Sequence, residues 1–253
     1  MIGFDSLGDR MKKNYEKRSQ IKLIRRMPVI IRLDGRAFHT FTKGFKRPFD
    51  EELNRIMRET TIFLLEQIQG AKLAYTQSDE ISILVTDYDY LETQAWFDNN
   101  IQKICSVSAS IATCEFNKQY LQPWLKNYYE LAEYSHEVEE MPKLANFDAR
   151  CFNIPKEEVN NYFVWRQNDW IRNSIQMVAQ SLYSHKELHG KGQIEQLGMI
   201  AREGIDWRND YPLKWTHGNT CVKNSTTKVW DFQAYDGHIY KDNPFLVNKL
   251  IEI

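Results

Sequence analysis

Two periodicities divide this chain into strands and helices. After Pro28 the run Val29-Ile30-Ile31 is apolar and β-branched and leads to Asp34-Gly35, which predicts a buried strand ending in a turn. Residues 36–49 carry no period and are expected as a loop. From Asp50 the period changes to that of a helix. Leu53, Ile56, Met57, Thr60, Leu64 and Ile68 fall on one face, Asp50 can cap the start, and Gly70 ends it. Two short strands follow at 72–76 and 80–86, joined tightly at Gln77-Ser78-Asp79. A long helix is expected over 93–120 and a strand over 147–154. Ahead of all these, Ser6 and Asp9 mark a short helix over 7–18.

The order β-α-β-β-α-β is the split βαβ, ferredoxin-like arrangement, so the expected class is α+β. In that sheet the third strand lies beside the first and antiparallel to it. The end of the first strand therefore meets the turn between the second and third. Asp34 occupies one of these places and the pair Asp79-Glu80 the other. After Pro155, at a tolerated first-turn position, a second long helix begins with Ile171, Ile175, Val178 and Leu182 as its buried stripe. A further helix is expected over 193–203, stopped by Gly204, and a strand returning to the core over 215–223. The tail 224–253 is mixed and gives no pattern. Residues 1–154 are thus expected as a catalytic unit with a basic N-terminal segment, and 155–253 as a helical extension with one returning strand, packed on it.

Carboxylates brought together repel and raise each other's pKa unless a cation sits between them. Hard oxygen donors suit Mg²⁺, which takes one or two carboxylates plus substrate phosphate oxygens. Two such ions can clamp the attacking and leaving oxygens of an in-line phosphoryl displacement. Gly35 lets the backbone approach closely, so its carbonyl joins Asp34 and Asp79 as a candidate metal ligand. Either motif alone reads as well as a turn or a hairpin corner; their convergence favours chemistry. Arg36-Ala37-Phe38-His39 can wrap a triphosphate with backbone N–H groups, or serve as a packing turn with Phe38 in the core. Arg47 sets a cation near the helix start at Asp50, where anions are favoured.

Composition narrows the setting. Mean hydropathy is −0.58, and no apolar run approaches the ~18 residues a membrane helix needs. With early charges and no apolar signal core at the N-terminus, the expectation is a cytoplasmic protein. Cys105, Cys114, Cys151 and Cys221 lack C-x-x-C spacing and read as reduced thiols. Net charge is −1, yet residues 10–26 hold eight basic side chains against one acid, and 130–140 hold five acids with no Lys or Arg. Such asymmetry builds a local positive face or only a solvated surface. His185 and His189 are four apart but have no third ligand, and read as a solvated or RNA-facing pair. Lys191, between two glycines, is a phosphate contact or a flexible turn.

Several segments together resemble one family. Asp34-Gly35-Arg36-Ala37-Phe38-His39, the helix start Pro48-Phe49-Asp50, Ala74-Tyr75-Thr76-Gln77-Ser78-Asp79-Glu80, Phe147-Asp148-Ala149-Arg150 and Trp165-Arg166-Gln167-Asn168-Asp169 are similar, in order, to motifs of the tRNA(His) guanylyltransferase family. The resemblance implies a palm domain like that of polymerases and nucleotide cyclases, and 3′-to-5′ addition of nucleotides to a tRNA 5′ end. It implies activation of the 5′ phosphate by ATP or GTP, then attack by the 3′ hydroxyl of an incoming nucleoside triphosphate. By position, Asp34, Asp79 and the Gly35 carbonyl would hold two Mg²⁺ ions, with Glu80, a third catalytic carboxylate, supporting that shell or the nucleotide. Residues 34–39 with Arg47, Asp50, Ser78 and Asp79 would contact nucleotide, and Arg150, Arg166, Arg172, Asn173 and Lys191 would contact tRNA. The resemblance also implies a homotetramer.

One position departs from the eukaryotic pattern. Where those members carry a His-Ile-Asn-Asn-type motif, this chain has Ile171-Arg172-Asn173-Ser174. That points to the guanylyltransferase-like branch, which repairs 5′-truncated tRNAs under a template. Two other readings stay open on the residues alone: a palm-type nucleotide cyclase or conventional polymerase, and a non-catalytic RNA-binding protein. The Gly-Gly-Asp/Glu-Glu-Phe signature of diguanylate cyclases is absent.

Overall fold

A computed structural model describes residues 6–132, 141–233 and 238–252. Most of the acidic stretch, including Glu133, Glu137, Glu139 and Glu140, lies outside the described residues. Helix α1 (Leu7–Asn14) opens the chain, capped by the Ser6 hydroxyl accepting from the Asp9 amide at 3.1 Å. It is shorter than expected and passes into a 3-10 turn at Glu16–Ser19. Strand β1 (Val29–Gly35) leads through a short helix α2 (Phe38–Phe41) to α3 (Glu51–Gln67). Asp50 caps α3 as expected, its carboxylate accepting from the Leu53 amide at 2.9 Å. Strands β2 (Ala71–Gln77) and β3 (Glu80–Val85) form the hairpin.

The expected helix over 93–120 is displaced. Phe97, Asp98 and Asn99 adopt left-handed backbone at φ 49°, 51° and 57°, which a helix does not accept. The Asn100 side chain then receives the Lys103 amide at 3.1 Å and caps α4 (Ile101–Ala132). This helix runs through Pro123, beyond the expected end. After β4 (Phe147–Asn153) comes α5 (Lys156–Leu182). Its stripe holds Ile171, Ile175, Val178 and Ala179, while Leu182, expected inside, is exposed at the last turn.

Short helix α6 (His185–Leu188) and α7 (Gln193–Arg202) precede α8 (Leu213–Thr216). The returning strand is therefore shorter than expected: Gly218, at φ 78°, separates α8 from β5 (Asn219–Lys223). The tail supplies β6 (Trp230–Gln233), α9 (Ile239–Asp242) and α10 (Phe245–Ile251).

All six strands form one antiparallel sheet in the order β4-β1-β3-β2-β5-β6. The first four are the ferredoxin-like set; β5 and β6 widen it on the β2 side. Side chains alternate across the strands. Ile31, Leu33, Ile81 and Ile83 pack with α3 and α4 on one face. Ile30, Leu73, Tyr75 and Leu84 pack with Val159, Phe163, Tyr240, Val247 and Ile251 of α5, α9 and α10 on the other. The second half of α5 packs with α6–α8 around Phe49, Trp170 and Trp215. No described helix is long and apolar enough to cross a membrane.

Candidate active site

The sheet brings the predicted carboxylates to one edge. Asp34 is the register partner of Glu80 in the β1–β3 ladder, and the Gly35 amide donates to the Asp79 carbonyl at 3.0 Å. Ser78, at φ 48°, turns the chain tightly enough to set Asp79 at the corner. Burial pushes the Asp79 carboxyl up to about 6; the Asp34 and Glu80 charges add to this, and the Ser78 hydroxyl and backbone hydrogen bonding oppose it. Asp34 is a third exposed and has two loose cationic neighbours, Arg32 at 3.5 Å and Arg150 at 4.0 Å.

Glu80 has a different setting. It is buried, and Arg166 grips it with both arms of the guanidinium at 2.7 and 2.6 Å. Arg32 adds a third contact at 2.7 Å and Ser82 a fourth at 3.3 Å. The Ser82 hydroxyl also bonds the Tyr162 hydroxyl at 2.8 Å, and burial pushes that phenol up to about 12. Glu80, expected among the catalytic carboxylates, is thus a neutralised anchor whose oxygens are taken by protein donors. Arg166, expected at the RNA surface, is buried as well, and its remaining reach goes to Asp169 at 3.1 Å. A guanidinium enclosed in this way has no surface to offer a polyanion.

Below the carboxylate edge opens a cavity of about 510 Å³. Gly35, Ala37, His39, Arg47, Ser78 and Asp79 line it, so most of the expected nucleotide contacts share one space. Its shape depends on a close approach at Gly35. A Cβ there would meet the Phe38 ring at 2.2 Å. Ala37, in left-handed backbone at φ 55°, starts α2 and turns Phe38 inward against Phe41, Phe116 and Phe147. Phe38 is therefore chiefly core, and Asp50, which also lines the cavity, spends its carboxylate on the amides of Leu53 and Lys46. Arg36 is exposed outside the lining. Thr42, Lys46, Met177 and Gln180 line the cavity and were not expected; Lys46 and Gln180 add polar donors that only the folding of 42–47 against α5 reveals.

The edge suits a hard divalent cation. Asp34 and Asp79 offer carboxylate oxygens beside the Gly35 backbone, and burial, with the Asp34 and Glu80 charges added, keeps the Asp79 carboxyl raised to about 6. Among the described residues no group of three or more His, Cys, Asp or Glu side chains could hold a metal. Two carboxylates, a backbone carbonyl and substrate phosphate oxygens would have to complete any metal shell. The thiols are free; Cys105 and Cys151 touch at 3.7 Å away from this edge, on α4 and β4.

A family model described as tRNAHis guanylyltransferase matches residues 8–155, more than half of the chain. The chain belongs to the tRNA(His) guanylyltransferase family. A probable tRNA(His) guanylyltransferase of Dictyostelium discoideum is 27% identical over 217 residues, covering 79% of this chain and 77% of that protein. A bacterial tRNA(His) guanylyltransferase-like protein solved with ATP superposes with a TM-score of 0.85 at 42% identity, covering 98% of this chain and 99% of that one. The Saccharomyces cerevisiae enzyme, at 22% identity and a TM-score of 0.66, shares the fold and covers 91% of this chain and 96% of that one. Membership makes the chain a nucleotidyltransferase that works on tRNA in the 3′-to-5′ direction. The palm-like sheet expected from the motifs is the family's sheet.

The remaining expected residues separate by exposure. Arg150 and Arg172 are exposed, Arg150 paired to Asp148 at 2.7 Å and Arg172 to Asp169. Lys191 is also exposed, and Asn173 is half-buried on α5. Ile171, at the place of the family's eukaryotic His, is buried against Ile175 and Trp170.

Proposed function

We propose that this chain rebuilds truncated tRNA 5′ ends by template-directed addition of nucleotides. The single observation that carries this is the meeting of Asp34, the register partner of Glu80, and the neighbouring Asp79 at one sheet edge, beside a cavity lined by Gly35, Ala37, His39, Arg47 and Asp79, in a chain of this family. Repair rather than dedicated addition of one G is favoured by Ile171 in place of His. It is favoured too by the 42% identity to the bacterial guanylyltransferase-like protein, above that to either eukaryotic enzyme.

The reaction has two transfers. An oxygen of the RNA 5′ phosphate attacks the α-phosphorus of ATP or GTP, and pyrophosphate leaves. The 3′ hydroxyl of the incoming nucleoside triphosphate then attacks the 5′ phosphorus; the nucleoside monophosphate leaves and the hydroxyl proton passes to solvent. Asp34, Asp79 and the Gly35 carbonyl would hold two Mg²⁺ ions. When bound there, these ions supply charge neutralisation at the attacking and leaving oxygens. The loop 35–39 and Ser78 cradle the triphosphate, and Arg47 and Lys46 offset its charge. Glu80 acts as a positioning residue: clamped by Arg32 and Arg166, it fixes β3 beside β1 and so fixes the spacing of Asp34 and Asp79. We assign the chemistry to residues 1–154 and RNA contacts through Arg150, Arg172, Asn173 and Lys191 partly to the extension 155–253. The family resemblance supports a homotetramer, as do the exposed apolar side chains of Leu7 and Met11 on α1, a helix with no buried residue, and of Tyr15 just after it. A cytoplasmic setting is consistent with tRNA as substrate.

The test is a 5′-extension assay with truncated tRNA(His) and one truncated non-His tRNA side by side, with Mg²⁺, ATP and all four nucleoside triphosphates. Repair predicts that both are extended, each to the length its opposing strand encodes. Extension of tRNA(His) alone, by one G, would reverse the assignment in favour of the dedicated activity.

A further inference from the structure

A second cavity, of about 560 Å³, adjoins the first, sharing Arg47 and Gln180 with it. It lies where the end of α5 faces α6, the loop after it and the first turn of α7. Its lining carries Arg47, Arg172, His185, His189 and Lys191, and among the described residues no Asp or Glu side chain. The acids around the lining are engaged by other groups: Asp169 holds Arg172, Glu195 holds Lys191 at 3.1 Å, Glu187 accepts from the Ser184 amide at 2.8 Å, and Glu203 accepts from the Tyr183 hydroxyl at 2.7 Å. The imidazoles of His185 and His189 stand 6.2 Å apart, centre to centre, close enough to flank one small polar group. Spacing of four residues suggests a metal pair, but three permanent cations in the same lining repel a metal ion, and no third metal ligand joins them. A concave space lined by one sign of charge instead concentrates anions.

The position of this cavity sharpens its chemistry. Arg47 and Gln180 line both cavities, so an anion in the second lies beside whatever fills the first. Both transfers proposed above require two phosphate-bearing reactants to stand side by side. One of them occupies the carboxylate cavity. We propose that the second cavity binds the phosphate-bearing end of the other reactant, through Arg172, His185, His189 and Lys191, with Arg47 shared between the two. The phosphate comes either from the 5′ end of the RNA or from the polyphosphate of the activating nucleotide. This rests on the nucleotidyl-transfer reading for the identity of the ligand; the site itself rests on the lining.

Equilibrium binding without turnover tests it. The full chain, a His189→Ala/Lys191→Ala double variant and an Arg172→Ala variant are titrated with four probes. These are ATP, inorganic tripolyphosphate, and an acceptor-stem RNA hairpin carrying either a 5′ phosphate or a 5′ hydroxyl. Loss of charge-assisted hydrogen bonds to a phosphate should weaken the relevant probe by about tenfold in each variant. If the RNA end binds here, the parent prefers the 5′-phosphorylated hairpin, the variants lose that preference, and ATP binding is unchanged. If the activating nucleotide binds here, ATP and tripolyphosphate weaken and the hairpin preference stays. Parent-like affinity of both variants for all four probes overturns the proposal. The replaced side chains are on two separate elements, so Arg172→Ala decides the matter should the double variant not fold. Nucleotidyl transfer is tested separately by extension: binding without extension removes the reading and keeps the site, and extension with parent-like binding does the reverse.

Discussion

Asp79 carries its chemistry in its pKa. An acid whose folded pKa lies above its unfolded value holds its proton more tightly when folded. The stability it contributes is complete below the ordinary carboxylate value of 3.8 and is lost as pH rises through about 6. Above that range the ionised side chain destabilises the metal-free protein. Asp79→Asn should therefore melt several degrees above the parent at about pH 7.5 without metal, and the gap should narrow as pH falls towards about 5. Added Mg²⁺ should raise the melting temperature of the parent and leave that of the variant nearly still. A differential scanning calorimetry series with and without metal checks both, and a gap independent of pH would contradict the assignment. Glu80 and Arg166 make the opposite prediction. Breaking a buried ion pair from one side leaves an uncompensated charge, so Arg166→Met should destabilise by about 3–5 kcal/mol in urea unfolding. A variant of normal stability with weakened RNA binding alone would restore Arg166 to the RNA surface.

At the scale of elements, the corner between β1 and α2 couples backbone to pocket. Gly35→Ala places a methyl group against the Phe38 ring, and the ring or the strand must shift. Overpacking of this kind costs about 1–3 kcal/mol. Here it should also raise the KM for nucleoside triphosphate more than it lowers kcat, because the cavity wall moves while Asp34 and Asp79 remain. Steady-state kinetics of the variant checks the split. The strands and helices that build this corner were legible because their local signals are clean: β1, α3 and the β2–β3 hairpin lie where the apolar run after Pro28, the helical stripe from Asp50 to Gly70 and the tight joint at Gln77-Ser78-Asp79 put them. The start of α4 was not, because Phe97, Asp98 and Asn99 take left-handed backbone that no local pattern announces. Strand β6 was hidden for another reason: four residues at a sheet edge are held by pairing with β5, a tertiary contact. The site was legible to the same degree. Asp34 and Asp79 came from strand order, but the Glu80–Arg166 pair joins residues 86 apart, and the motifs alone gave Arg166 the look of a surface cation.

For the whole molecule, the tail does more than its mixed composition suggests. Tyr240 is fully buried, packs against Phe163 and Tyr75, and bonds the Thr220 hydroxyl at 2.8 Å. It ties α9 to the sheet face beneath α5, behind the Glu80 anchor. Tyr240→Ala should cost about 3–5 kcal/mol, as for other large buried aromatics, with the loss read by urea denaturation. Charge is also distributed at this scale. The net value of −1 conceals a basic cavity wall next to the carboxylate edge, so RNA affinity should fall with added salt despite the near-neutral total. We propose the carboxylate edge as the place where nucleotides are transferred to the tRNA 5′ end. Its most direct test is extension of a tRNA lacking its first nucleotide, followed on a sequencing gel with Mg²⁺, ATP and nucleoside triphosphates, by the parent and by Asp34→Ala. Growth at the 5′ end is expected from the parent, with a rate lower by on the order of a thousandfold for the variant, since several kcal/mol of charge stabilisation are removed. No extension by the parent, or equal extension by both proteins, would contradict it.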